Sequence, residues 1–325
     1  MKKFLFHFGI FLIPLILVAS AADIFLSKEL KKSNTYAMGE YPTWNALFDG
    51  KINSEIVIYG GSKAWVQIDP IMIGDSLNTT AYNLGIDGHN FWLQYLRHKI
   101  LLAHNIKPKL IIYSLDEFTL KKVPDLYNQD QFLPYMPFND KIKNATISYK
   151  GYNNWDYELP LVRYFGKEDA INNALRMFLN PSSNPVTRVK GYKAQDMSWN
   201  NDFENVKKGM QSYYVKIDQP SVILFESFLN ECKKDGIKVV FVYSPEYIEG
   251  QKFIENRSEI MGLYSKFERK YNIPFYNYAN DPMSYQKKYF YNALHLNKTG
   301  AELFTRKLID TLRNSTALKG IGKHE

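Results

Sequence analysis

An α/β fold with a parallel sheet covered by helices on both faces is what the sequence predicts, on three observations. Short apolar runs recur after residue 50 and end in glycines or polar turns. Stretches with helical apolar spacing lie between them, the alternation expected of parallel strands joined by helices. The composition, 45% hydrophobic and 23% charged over 325 residues, is that of a chain able to bury a core, which excludes wholesale disorder and low-complexity arrays.

Residues 55–59 (EIVIY) form the first predicted strand, closed by Gly60 and Gly61. Residues 80–84 (TAYNL) form the second, followed by Gly85 and Gly88. Leu93, Leu96, Ile100 and Leu101 give residues 91–103 a helical period, and residues 109–115 (KLIIYSL) read as the third strand. Residues 221–233 read as a helix stopped at Asp235-Gly236, 238–243 (KVVFVY) as the fourth strand and 255–271 as a helix. Residues 274–276 are a short fifth strand, and 299–313 the last helix. Between 118 and 219 the rhythm breaks. Tyr127, Phe132, Tyr135, Phe138, Tyr149, Tyr152, Trp155 and Tyr157 are scattered through it, with one helical stretch at 170–179. This segment reads as an insertion or lid whose rings form either its own core or a platform for sugar faces. Residues 314–325 read as a flexible tail.

The charge balance, 41 Lys and Arg against 33 Asp and Glu, is a mild excess spread along the chain and gives no argument for nucleic acid. A single cysteine, Cys232, excludes an intrachain disulfide framework. No residue cluster has metal-ligand spacing, so neither a metal nor another cofactor is expected.

At the amino terminus Lys2 and Lys3 precede an apolar run over residues 4–22, near the length that crosses a bilayer. Residues 1–27 therefore read as an anchor or as a cleaved secretory signal, with small residues Ala19–Ala22 as the cleavage alternative. The anchor is preferred because the run exceeds a usual signal core and Ile24, Phe25 and Leu26 prolong it. Residues 28–54 then form a juxtamembrane segment, and residues 55–313 the α/β domain.

In an open parallel sheet, ligands gather at the carboxyl ends of the strands. There the sequence places Ser62 after the first strand, the NLGIDG turn with Gly88 after the second, Asp116 and Glu117 after the third, and Asn292 and His295 before the last helix. A hydroxyl, a base and backbone donors on one rim are the parts of a serine-nucleophile site. Lys63, Asp87, His89 and Glu117 flank the cleft, as solvated side chains or as substrate contacts.

The order and setting of these loops resemble the SGNH (GDSL-like) hydrolase family, over residues 55–115 and 220–313. The resemblance implies a flavodoxin-like sheet, Ser62 as nucleophile, His295 as general base, and Asn292 in the place of the orienting aspartate. It places Gly88 and Asp116 at the oxyanion hole, Asp116 standing where the family has asparagine. Asn292 and Asp116 are departures: an amide cannot balance imidazolium charge, and an ionised carboxylate repels an oxyanion, so Asp87, Asp116 or Glu117 is an alternative orienting group. With the amino-terminal segment as an anchor, the expectation is an exported, single-pass membrane protein with its carboxy-terminal domain on the periplasmic or extracellular side. The resemblance implies that it would hydrolyse or transfer acyl esters of an envelope polysaccharide, with a membrane-bound O-acyltransferase as a partner. The alternatives are a catalytically degenerate carbohydrate-binding or assembly protein of the same fold, and a plain flavodoxin-like binding domain.

Overall fold

The computed structural model describes residues 1–88 and 91–322. Five strands, β1 Ile56–Gly60, β2 Ala81–Asn83, β3 Leu110–Leu115, β4 Lys238–Tyr243 and β5 Phe275–Asn277, form one sheet in the order β2-β1-β3-β4-β5. Every pairing is parallel, with Ile56 opposite Ala81 and Leu110, Leu110 opposite Lys238, and Phe241 opposite Phe275. This is the flavodoxin-like strand order, whose direction of winding reverses between β1 and β3. The helices in chain order are α1 Lys2–Leu30, α2 Tyr41–Phe48, α3 Ser62–Gln67, α4 Pro70–Leu77, α5 Phe91–His104, α6 Asp140–Thr146, α7 Asn154–Glu158, α8 Glu168–Leu179, α9 Asp202–Gly209, α10 Gln219–Lys234, α11 Ile248–Phe253, α12 Arg257–Tyr271 and α13 Lys298–Arg313.

The central strands β1, β3 and β4 are mostly apolar because both sheet faces are covered there, and the period of two sorts their side chains. Ile56, Ile58, Leu110, Ile112, Val240 and Val242 pack with Phe304, Leu308 and Leu312 of α13. On the alternate positions, Tyr59, Tyr113 and Phe241 meet an aromatic layer from α5 and α10, with Phe91–Phe225 at 4.9 Å and Tyr113–Phe225 at 5.2 Å between ring centroids. Much of the chain's aromatic excess therefore lies in the sheet's own core.

The chain divides into two compact units, Met1–Asn45 with Pro124–Arg188, and Ala46–Val123 with Val189–Glu325. The stretch expected to be one insertion at 118–219 is thus shared out: its middle packs with the amino-terminal segment, and its last part belongs with the sheet. In the first unit Phe132, Tyr135, Tyr149, Tyr152 and Tyr157 are buried, while Tyr127, Phe138 and Trp155 are exposed. Trp44 packs on Phe132 with centroids 5.5 Å apart. The expected tail begins as ordered structure: Thr316–Leu318 is a 3-10 turn, Ala317 is buried, and Lys238 Nζ donates to the Ala317 carbonyl at 3.2 Å.

Helix α1 has two halves. Its outer half leaves large apolar side chains from Phe4 to Val18 exposed. Its inner half is part of the first unit: the Arg163 guanidinium forks onto the Asp23 carboxylate at 2.7 and 2.5 Å, and Ser27 Oγ lies 2.9 Å from Tyr164 Oη. By length and composition α1 could cross a membrane, at a mean hydropathy of 2.3 in its most apolar window.

Candidate active site

Ser62 opens α3 immediately beyond β1. Gly60 makes that turn possible, since it sits at φ 143° and a Cβ there would lie 2.6 Å from the Ser114 carbonyl oxygen. Asn83, fully buried at the end of β2, ties the neighbouring loop to this helix. Its Nδ2 donates to the Ala64 and Ile68 carbonyls at 2.7 and 2.8 Å, and its Oδ1 accepts from Gly85 N at 2.9 Å.

Across this rim Ser62 Oγ lies 2.7 Å from His295 Nε2. On the far side of the ring, His295 Nδ1 lies 2.9 Å from Asn292 Oδ1. That same oxygen accepts the backbone N–H groups of Leu294 at 3.0 Å and His295 at 2.9 Å. Two backbone donors require an acceptor there, so the amide is fixed with its oxygen inward. Nδ1 must then carry the imidazole proton, leaving Nε2 as the acceptor for the Ser62 hydroxyl. Burial, with Lys63's charge adding to it, pushes the imidazole pKa down to about 3, so the ring is neutral and Nε2 carries no proton. Tyr291 stacks nearly parallel on the ring at 5.3 Å.

Gln67 is a site residue that the sequence did not single out. It is fully buried on α3; its Nε2 donates to the Leu294 carbonyl at 3.1 Å, and Ser244 Oγ donates to its Oε1 at 2.6 Å. One side chain thus ties the helix that starts at Ser62 to the residue before His295. Only its position five residues after Ser62 hints at this.

Ser62 opens on a cleft of about 230 Å³ that Gly61, Gly88, Asp116, Phe118 and Lys121 also line. Gly88 is exposed with φ 64°. Asp116, at the end of β3, caps its own turn: Oδ1 accepts from Phe118 N at 2.8 Å and from Thr119 Oγ1 at 3.2 Å. Burial raises its carboxyl pKa against the opposing pull of Lys63.

Two flanking candidates lie elsewhere. Lys63 and Glu117, expected at the cleft edge as solvated or substrate-contacting groups, are buried beneath it. One residue along a helix turns the side chain about 100° from Ser62, and Lys63 Nζ ends between Glu117, at 3.3 Å, and Glu246. Tyr243 Oη donates to Glu117 Oε1, and Arg257 Nε reaches it at 3.2 Å. Burial alone would raise the Glu117 carboxyl, but Lys63, Tyr243 and Arg257 outweigh it and hold it below its ordinary value. Asp87 is part-exposed and accepts from Trp65 Nε1 at 3.3 Å. His89 lies outside the described residues. The place beside His295 Nδ1 is therefore held by Asn292, not by Asp87, Asp116 or Glu117. Among the described residues no three His, Cys, Asp or Glu side chains gather as a metal site.

No protein-family profile matches the chain, and no curated protein matches it. Among solved structures, a GDSL-like lipase from Bacteroides thetaiotaomicron is similar at 14% identity and TM-score 0.37, covering 84% of this chain and 97% of its own. A candidate platelet activating factor from Streptococcus pneumonia is similar at 11% identity and TM-score 0.37, covering 94% and 97%. A candidate acylhydrolase from Bacteroides fragilis is similar at 14% identity and TM-score 0.34, covering 84% and 95%. At these values the likenesses carry none of the functional reading, which rests on the geometry of Ser62, His295 and Asn292.

Proposed function

We propose that this protein is a serine-nucleophile acyl hydrolase or O-acyltransferase. The observation that carries the reading is the 2.7 Å approach of Ser62 Oγ to an imidazole whose other nitrogen is held by Asn292. Ser62 Oγ attacks an ester carbonyl while Nε2 takes its proton. The tetrahedral oxyanion is received by backbone N–H groups of Ser62 and Gly88, beside Asp116. Collapse expels the alcohol, which takes the proton from Nε2, and leaves an acyl-serine. Water or a sugar hydroxyl, deprotonated by the same nitrogen, then releases the acyl group.

The substrate class we propose is an acylated polysaccharide of the cell envelope, with α1 as a single-pass anchor and the catalytic unit on the periplasmic or extracellular side. A membrane-bound O-acyltransferase fits as the partner that supplies or receives acyl groups. Support for the anchor is the exposed apolar half of α1: Lys2 to Val18 spans about 25 Å as a helix, close to the ~30 Å core of a bilayer.

The test is turnover of a nitrophenyl ester and labelling by a fluorophosphonate, both on the full chain. Wild type is expected to turn over and label, and Ser62→Ala to do neither. A second reading, a glycan-binding protein without turnover, is favoured by the Asp116 carboxyl in the cleft. Glycan retention with no labelling of wild type would establish that reading instead.

A further inference from the structure

Beside the polar cleft lies a second cavity, of about 340 Å³, in the same unit. Helix α9 supplies Phe203 and Val206 to its wall, the following segment Met210 and Tyr213, and α11 Phe253. Its floor is the turn Asn292-Ala293-Leu294, which presents the imidazole. Apart from Asn292 and Asp202 the lining is apolar, the character of a small-molecule site rather than of a hydrated groove. Val206 and Met210 remain exposed at its mouth although both are apolar.

Phe118 lines both this cavity and the Ser62 cleft. Its ring centroid is 6.1 Å from that of Tyr213, and Lys121 Nζ, from the polar cleft, donates to Tyr213 Oη at 2.5 Å. Phe118 is thus common to the two linings and touches Tyr213 of the apolar space and Lys121 of the polar one. A polar chamber at Ser62 and an apolar one that shares Phe118 with it suit the two ends of one ester.

We propose that the apolar cavity binds the acyl chain of the substrate, so that the group carried by Ser62 is a medium-length alkyl acyl group and not only acetyl. This rests on the serine-nucleophile reading above. The cavity has room for on the order of ten water-sized groups, which corresponds to a chain of roughly eight to ten carbons. Phe118, common to both linings, is the specificity-determining side chain between the ester carbonyl and the cavity.

The test uses the full chain in a steroid-based detergent, which has no alkyl tail to compete. kcat/KM for nitrophenyl esters is expected to rise from acetate to octanoate by at least about tenfold, with a ceiling of about fourfold per methylene. Val206→Trp, at an exposed helix position, narrows the cavity and is expected to cut the octanoate-to-acetate ratio about tenfold. Met210→Trp, from the adjoining segment, makes the same test should the first variant fold poorly. A flat chain-length profile, or a ratio unmoved by both filling variants, overturns the proposal. Equilibrium dialysis of radiolabelled decanoate against Ser62→Ala separates the two readings. Decanoate retained by Ser62→Ala and lost on adding Val206→Trp supports the cavity even if no ester turns over, an outcome that would remove the catalytic reading alone. No retention overturns the acyl site whatever the catalytic result.

Discussion

Asn292 Oδ1 stands 2.9 Å from His295 Nδ1, and it is held there by two backbone N–H groups of its own turn. The amide therefore does half of what a carboxylate does in this position. It fixes the ring's tautomer and orientation but brings no charge to the imidazolium. In a serine protease, replacing the aspartate by asparagine costs about 10⁴-fold because the tautomer becomes wrong. Here the tautomer is already set, so restoring charge is worth less. Asn292→Asp is expected to raise ester kcat about tenfold to a hundredfold, and Asn292→Ala to lower it, as measured by steady-state turnover. Equal rates for all three chains would show that residue 292 does not act through the ring.

The pH dependence follows from two groups. His295 is depressed to about 3, so its neutral, basic form persists as pH falls through the range where a free histidine protonates. Asp116 is raised, so its uncharged form, which no longer repels an oxyanion, gains as pH falls. The first removes a loss on the acid side, and the second favours that side. The kcat/KM profile is expected to show no acid limb between pH 7 and 5. Asp116→Asn, which keeps the turn and adds an N–H, is expected to raise turnover at neutral pH by tenfold or more. An acid limb with an apparent pKa near 6.5 would show that burial does not depress His295 in the working protein.

Beneath Ser62, Lys63 is paired with two buried carboxylates, Glu117 and Glu246. Removing one partner of such a cluster leaves uncompensated charge in the interior, at a cost of about 3–5 kcal/mol. Lys63→Met is expected to lower the unfolding free energy of the sheet-bearing unit by an amount in that range, measured by denaturant titration and followed by hydrogen exchange of β1 and β3. Unchanged protection there would mean that the cluster is not stabilised by Lys63.

Helix α1 separates exposed apolar residues from protein-facing ones near its middle. Deleting residues 2–18 is expected to release the protein from membranes without unfolding it, because Asp23 and Ser27 keep their contacts with Arg163 and Tyr164. Arg163→Ala, in contrast, leaves Asp23 buried without its cation. It is expected to destabilise the first unit by about 3–5 kcal/mol, read by thermal unfolding. A truncated chain that still sediments with vesicles would refute the anchor.

Strands β1, β3 and β4 were legible because they are buried on both faces, which writes a short apolar run bounded by turn residues, and the short edge strands β2 and β5 by the turn residues that bound them. Their edges moved by only a residue or so: 55–59 became Ile56–Gly60, and 238–243 is Lys238–Tyr243. Helices α3 and α4 were not legible, because six or eight residues give too little periodicity to separate from a polar turn. The 118–219 stretch was read as one piece for a related reason. Nothing local marks that residues 124–188 pack with residues 1–45 while 189–219 pack with the sheet.

The sequence by itself determined the kinds of group and their loops: a hydroxyl after β1, a glycine turn after β2, an acid after β3 and an Asn-x-x-His before α13. Strand period and strand-end position depend on near neighbours in the chain, so they can be read there. Tertiary structure alone decided which groups meet. It set Ser62 and His295, 233 positions apart, in hydrogen-bond contact. It also drew Lys63 away from the cleft into a buried ion cluster, made Gln67 the tie between the Ser62 helix and the His295 loop, and opened an apolar cavity against the Asn292 turn. Those outcomes depend on packing between segments remote in sequence, where burial and the need to satisfy buried polar groups leave no local pattern.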